Sequence, residues 1–169
     1  MKSSLLALAV CLASCATGSA SHGKQLPNFT LNSVDGEQVR LSDHLGKDVV
    51  VLAFWDTWCE PCKTELPQLD ALYKKHHAEG LTLYAVAMDD PSTVSQVAPF
   101  VKRSGFSFPV LLDTEVKAAN LYNTLKVAPY TVVIDRAGKV HSEKAGYEPG
   151  SEKALEDELV KLLAQPAAP

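Results

Sequence analysis

Val49-Val50-Val51-Leu52-Ala53-Phe54-Trp55 leads through Asp56-Thr57 into Trp58-Cys59-Glu60-Pro61-Cys62, two thiols at a strand-to-helix junction. An unbroken apolar run of this kind fits a strand buried on both faces. After it, Leu66, Leu69, Leu72 and Tyr73 keep helical spacing, which predicts a helix over about 59–78 that stops at Gly80. Cys59 then sits where free backbone N–H groups and the positive end of the helix dipole favour a thiolate. Cys62 follows about one turn later, within reach of a mixed disulfide formed by Cys59. Pro61 suits the first turn, where its missing N–H has no intrahelical partner to lose.

Working outward, Asp35-Gly36 between Phe29-Thr30-Leu31 and Gln38-Val39-Arg40-Leu41 is a hairpin signal. A second buried strand is predicted over 81–88, and Asp89-Asp90-Pro91-Ser92 opens a helix that closes at Gly105. A short strand follows over 108–112, and Asp113 caps a helix running through Leu121 and Tyr122. Tyr130–Ile134 and Lys139–Ala145 form a hairpin, and a last helix covers about 151–164. This order predicts an α/β fold with a mixed sheet, in one domain over 26–165 with a disordered tail at 166–169.

Two of the four cysteines lie in a leader. Lys2 precedes the apolar run Leu5–Leu12, which is too short to span a bilayer. Leu12-Ala13-Ser14-Cys15 resembles the bacterial lipoprotein signal, so residues 1–14 are read as a signal peptide. Cys15 is then the lipidated N-terminus and 15–25 a tether holding the protein to a membrane. The alternative is an ordinary signal peptide cut after Gly18-Ser19-Ala20; export is common to both. The net charge is −4 with no basic run, which argues against nucleic acid as a partner.

The segment Phe54–Lys63, with Val127-Ala128-Pro129-Tyr130-Thr131-Val132-Val133-Ile134 downstream, resembles the thioredoxin superfamily. More narrowly the chain resembles its exported TlpA/ResA-like thiol-disulfide oxidoreductases, over roughly residues 26–164. The resemblance implies a thioredoxin-like sheet flanked by helices, with an N-terminal hairpin and a central helix-strand insert at about 90–112. It implies that Cys59 is the exposed nucleophile and Cys62 the resolving thiol of a redox-active disulfide, with no cofactor. It further implies a cis Pro129 beside the dithiol, with the Ala128 backbone pairing with substrate and Trp58 and Pro61 framing it; the alternative is a plain strand-start proline. Partners would be disulfide-containing exported proteins and a membrane thiol donor at the extracytoplasmic surface.

Ala53 stands where thioredoxins carry a buried Asp. Glu60 and Glu65 match acidic positions of the ResA-like branch, and either could raise the thiol pKa values or take a proton from Cys62. The alternative is that both are solvated first-turn acids. A zinc site needs two further ligands. His76 and His77 are too far along the helix to supply them and read as an exposed helix end. A copper carrier using Cys59, Cys62 and His141 is the rival of another class, against a solvent-facing His141. A thiol peroxidase is the rival among enzymes, but no Thr lies three residues before Cys59.

Overall fold

The computed structural model describes residues 26–167; the leader and the whole tether at 15–25, Cys15 included, lie outside them, as do the last two residues. Seven strands form one sheet: β1 (Thr30–Ser33), β2 (Gln38–Arg40), β3 (Val49–Trp55), β4 (Leu81–Ala87), β5 (Val110–Leu112), β6 (Tyr130–Ile134) and β7 (Val140–Ala145). Four helices accompany them: α1 (Glu60–His76), α2 (Val97–Ser104), α3 (Lys117–Tyr122) and α4 (Ser151–Leu163). The sheet order is β2-β1-β5-β4-β3-β6-β7. β3 is central, parallel to β4 and antiparallel to β6. The insert places β5 parallel to β4 and antiparallel to β1, so it joins the N-terminal hairpin to the main sheet. Among the described residues no helix is long and apolar enough to cross a membrane.

Alternation along β3 explains the two layers. Val49, Val51, Ala53 and Trp55 face α1 and α4, where Leu66, Leu69, Leu159 and Leu162 cover them. Val50, Leu52 and Phe54 face the other side, under Phe29, Leu41, Ala118, Ala119 and Tyr122. Every residue of β3 is buried, as the continuous apolar run requires.

Three details differ from the sequence reading. Asp89 does not open a helix: Asp90 accepts the Ser92 N–H at 2.7 Å in a local turn, and α2 starts only at Val97. Asp113 lies four residues before α3, yet its carboxylate accepts the N–H groups of Ala118 at 3.2 Å and Ala119 at 2.8 Å. His76 is buried, not an exposed helix end, because α4 closes over it. Its Nδ1 lies 3.1 Å from Glu79 and its Nε2 3.3 Å from Glu156, while His77 stays exposed.

Replacing Asp113 with Ala leaves two buried helix N–H groups without an acceptor. The expected loss is about 1–3 kcal/mol, read as a lower urea midpoint at unchanged m-value. A midpoint equal to the wild type would show that water replaces the carboxylate without loss.

Candidate active site

Three chain segments meet at the carboxyl end of β3. Trp55 pairs with Ala87 on β4, and Phe54 with Tyr130 on β6. The loops after β3 and β4 and the loop before β6 are therefore neighbours. Thr57 and Asp89 each lie two residues beyond the Trp55–Ala87 pair, and they bond accordingly. Asp89 accepts the Thr57 N–H at 2.9 Å and also its hydroxyl. The Trp55 carbonyl accepts the Met88 N–H at 2.9 Å, which fixes the same two loops.

Cys59 is the N-cap of α1, and Cys62 lies in its first turn with Pro61 between. The two are joined by a disulfide with Cα atoms 5.3 Å apart. The Cys62 N–H points at Cys59 Sγ, 3.3 Å away, and Asp56 O accepts the Cys59 N–H at 3.0 Å. Cys59 was expected to be exposed; in the disulfide form only 3% of it is, because its side chain packs into the α1-side core. Trp58, by contrast, is 66% exposed.

The Ala128–Pro129 peptide is cis. Its approach is held by Asn123, fully buried, whose Nδ2 donates to Val127 O at 2.8 Å while its Oδ1 accepts the Val127 N–H at 3.3 Å. Ala128 packs against the core cluster that contains Cys59 and Cys62. Leu125 and Val127, on the same approach, are exposed apolar residues.

The two glutamates part company. Glu60 is turned to solvent and pairs with Lys63 at 2.7 Å, as a first-turn acid would. Glu65 is only 8% exposed and lies one turn beyond Cys62 on the buried side of α1. Its Oε1 accepts the Thr131 hydroxyl at 3.3 Å. Thr131 is the direct cross-strand partner of Ala53. The helix thus delivers a carboxyl group beside the position where the strand itself offers only a methyl. Burial raises the Glu65 carboxyl to about 7, against the opposing pull of the Thr131 hydroxyl and the Lys144 ammonium.

Asp56 is a second buried acid, which sequence reasoning passed over. It is raised to about 6, first by burial and then by the charges of Asp89 and Asp90. The pairing of two parallel strands ending at Trp55 and Ala87 was the available signal that Asp56, Thr57, Asp89 and Asp90 would gather.

His141 is not brought to the cysteines. It sits on β7 at the irregularity opposite Val133 and Ile134, some four residues down β6 from Pro129, roughly 13 Å at the strand repeat. It is exposed, with Nε2 3.7 Å from Glu158. Among the described residues no group of three His, Cys, Asp or Glu side chains is placed to hold a metal ion.

Known proteins with these features are similar along most of the chain. The family model described as AhpC/TSA matches residues 22–143. The thiol-disulfide oxidoreductase ResA of Bacillus thuringiensis subsp. konkukian is 35% identical over 140 residues, 83% of this chain and 78% of that protein. A crystal structure described as thiol:disulfide interchange protein DsbE of Chlorobium tepidum superposes with a TM-score of 0.75 at 32% identity, covering 84% of this chain and 97% of that one. The pneumococcal exposed lipoprotein thioredoxin of Streptococcus pneumoniae gives 0.68 at 27% identity, covering 80% and 100%.

The two raised carboxyls make stability depend on pH. Between the ordinary values of 3.8 and 4.5 and the raised ones of about 6 and about 7, the folded protein holds protons that the unfolded chain has released. Stability therefore falls as pH rises through that window and stays lower above it. Glu65→Gln should flatten the upper part of the fall, and Asp56→Asn the lower part, in urea midpoints measured from pH 4 to 8. A Glu65→Gln protein with the wild-type slope would place the Glu65 carboxyl at its ordinary value.

Proposed function

The chain belongs to the AhpC/TSA family and to the ResA-like thiol-disulfide oxidoreductases, and from that premise we propose that it reduces disulfides in exported proteins. The observation that carries the reading is the Cys59–Cys62 disulfide at the start of α1, one turn from the buried Glu65 carboxyl. In the reduced protein the Cys59 thiolate attacks one sulfur of a substrate disulfide and expels the other as a thiolate. Cys62 gives its proton to Glu65 and attacks the Cys59 sulfur. The second substrate thiolate leaves, and the Cys59–Cys62 disulfide re-forms. Substrate gains two electrons and the dithiol loses two, to be restored by a thiol donor in the membrane.

The direction rests on the charges around the dithiol. Strong thiolate stabilisation makes a dithiol oxidising. Here the residues between the cysteines are Glu60 and Pro61, neither a cation nor an imidazole. Glu65 adds a buried carboxyl on the inner side. Both disfavour thiolate and keep electrons available for donation. Substrate would lie along the Ala128 backbone, its apolar flanks against Trp58, Leu125 and Val127, all exposed.

The protein would work in the periplasm or at an extracytoplasmic membrane surface, tethered through a lipid on Cys15 after removal of residues 1–14. The Leu12-Ala13-Ser14-Cys15 sequence supports this, as does the likeness to a structure described as a lipoprotein thioredoxin. Cytochrome c maturation, metal-site assembly and repair all need such a donor. A peroxidase reading is less well supported, because Asp56 occupies the third position before Cys59 and Cys62 is already placed to resolve a mixed disulfide.

Cys59→Ser should abolish disulfide reduction, whereas Cys62→Ser should retain attack and accumulate mixed disulfides visible on non-reducing gels. Equal, harmless effects would refute the mechanism. Equilibration against dithiothreitol and glutathione buffers should give a potential near about −270 mV; a value near about −120 mV would reverse the direction of electron flow.

A further inference from the structure

Behind the dithiol, a notch of roughly 120 Å³ opens between α1, α4 and the β6–β7 hairpin, with Glu65 at its inner end. Its floor is apolar, from Leu69, Val133 and Leu155. The charged groups that face Glu65 across it are few. α4 contributes Glu152 and Glu158, the loop after β7 contributes the Tyr147 hydroxyl, and β7 contributes Lys144. Lys144 is the one cation among these lining residues, against three carboxyl groups.

The other charges are already engaged. Glu152 accepts the Gly150 N–H at 2.9 Å and the Tyr147 hydroxyl at 3.1 Å. Glu158 accepts the Ser142 hydroxyl and has His141 3.7 Å away on its outer side. Lys144 stands directly opposite Thr131 in the β6–β7 pairing, and Thr131 donates to Glu65. Directly opposed residues share a face of the sheet, so the lysine stem is on Glu65's side. No hydrogen bond or ion pair draws its ammonium elsewhere among the described residues. The notch is large and polar-rimmed enough to admit water, so proton exchange between Glu65 and solvent needs no opening of the fold.

We infer that Lys144 is a positioning residue that acts through Glu65, favouring the charged form of that buried carboxyl group at the inner end of the notch. The inference rests on the reading of Glu65 as the acceptor of the Cys62 proton, since only the carboxylate can accept. Removing the lysine leaves an all-acidic notch, in which Glu65 keeps its proton to higher pH. Because Lys144 is exposed, solvent screens part of this influence.

The test compares Lys144→Met and Lys144→Arg with the wild type in the whole protein, oxidised and reduced. The Glu65 carboxyl carbon is followed by NMR against pH, assigned by its disappearance in Glu65→Gln. Lys144→Met should raise the proton affinity of Glu65 about three- to tenfold, and Lys144→Arg should restore it. The pH–rate profile of disulfide reduction should move up by the same factor in Lys144→Met and show no such limb in Glu65→Gln. A Glu65 titration unchanged in Lys144→Met overturns the inference. A titration that moves while the rate profile does not overturns the role of Glu65 as base and leaves Lys144's hold on it standing.

Discussion

The architecture hangs on β3 being paired on both edges and covered on both faces. A strand with no exposed side or edge cannot shift register without moving its whole apolar set to the wrong layer. Trp55 is therefore fixed against Ala87, and Phe54 against Tyr130. The site begins within four residues of those pairs, with Cys59 four after Trp55, Asp89 two after Ala87 and Pro129 one before Tyr130. The dithiol follows β3, Asp89 follows β4, and the cis Pro129 precedes β6. Their convergence needs no special packing device, only the register of three adjacent strands.

Two opposing electrostatic influences meet at that end of the sheet. The start of α1 offers the Cys59 sulfur a positive dipole end and a Cys62 N–H. Asp56 and Glu65, both buried, offer negative charge from either side as pH rises. The first favours thiolate and makes the dithiol an acceptor of electrons; the second opposes thiolate and makes it a donor. Asp89 has a mechanical part as well. By accepting both the N–H and the hydroxyl of Thr57, it fixes the loop that carries Trp58 while adding charge beside Asp56.

The sheet and the helix after the motif were legible because each has a local cause, whereas the cis state of Pro129 was implied only by the resemblance and not by its own neighbourhood in the sequence. A seven-residue apolar run and a Cys-x-x-Cys ahead of helical spacing are readable one segment at a time. What was missed depends mostly on contacts between distant segments, with one exception. His76 continues the Leu66, Leu69, Leu72 stripe of α1 by four residues, so its burial followed from periodicity alone. Its partner Glu156 is 80 residues away, beyond any local pattern. Cys59 looked exposed because nucleophiles must be reached; its packing against the core, with Trp58 carrying the exposure, is a property of the folded loop.

The site of the buried acid is where this chain departs most from a strand-borne design, and the departure has a physical consequence. A carboxyl on β3 at position 53 would be fixed in the centre of the sheet, sealed by its neighbours. Placed on α1 at Glu65, the carboxyl lies one helix turn from Cys62, so the two side chains keep their spacing as α1 moves. While bonded to Thr131 on the sheet, it also lines the notch between α1, α4 and the β6–β7 hairpin, together with Lys144. An acid on the helix therefore meets solvent through that notch and not only through the face that carries Trp58.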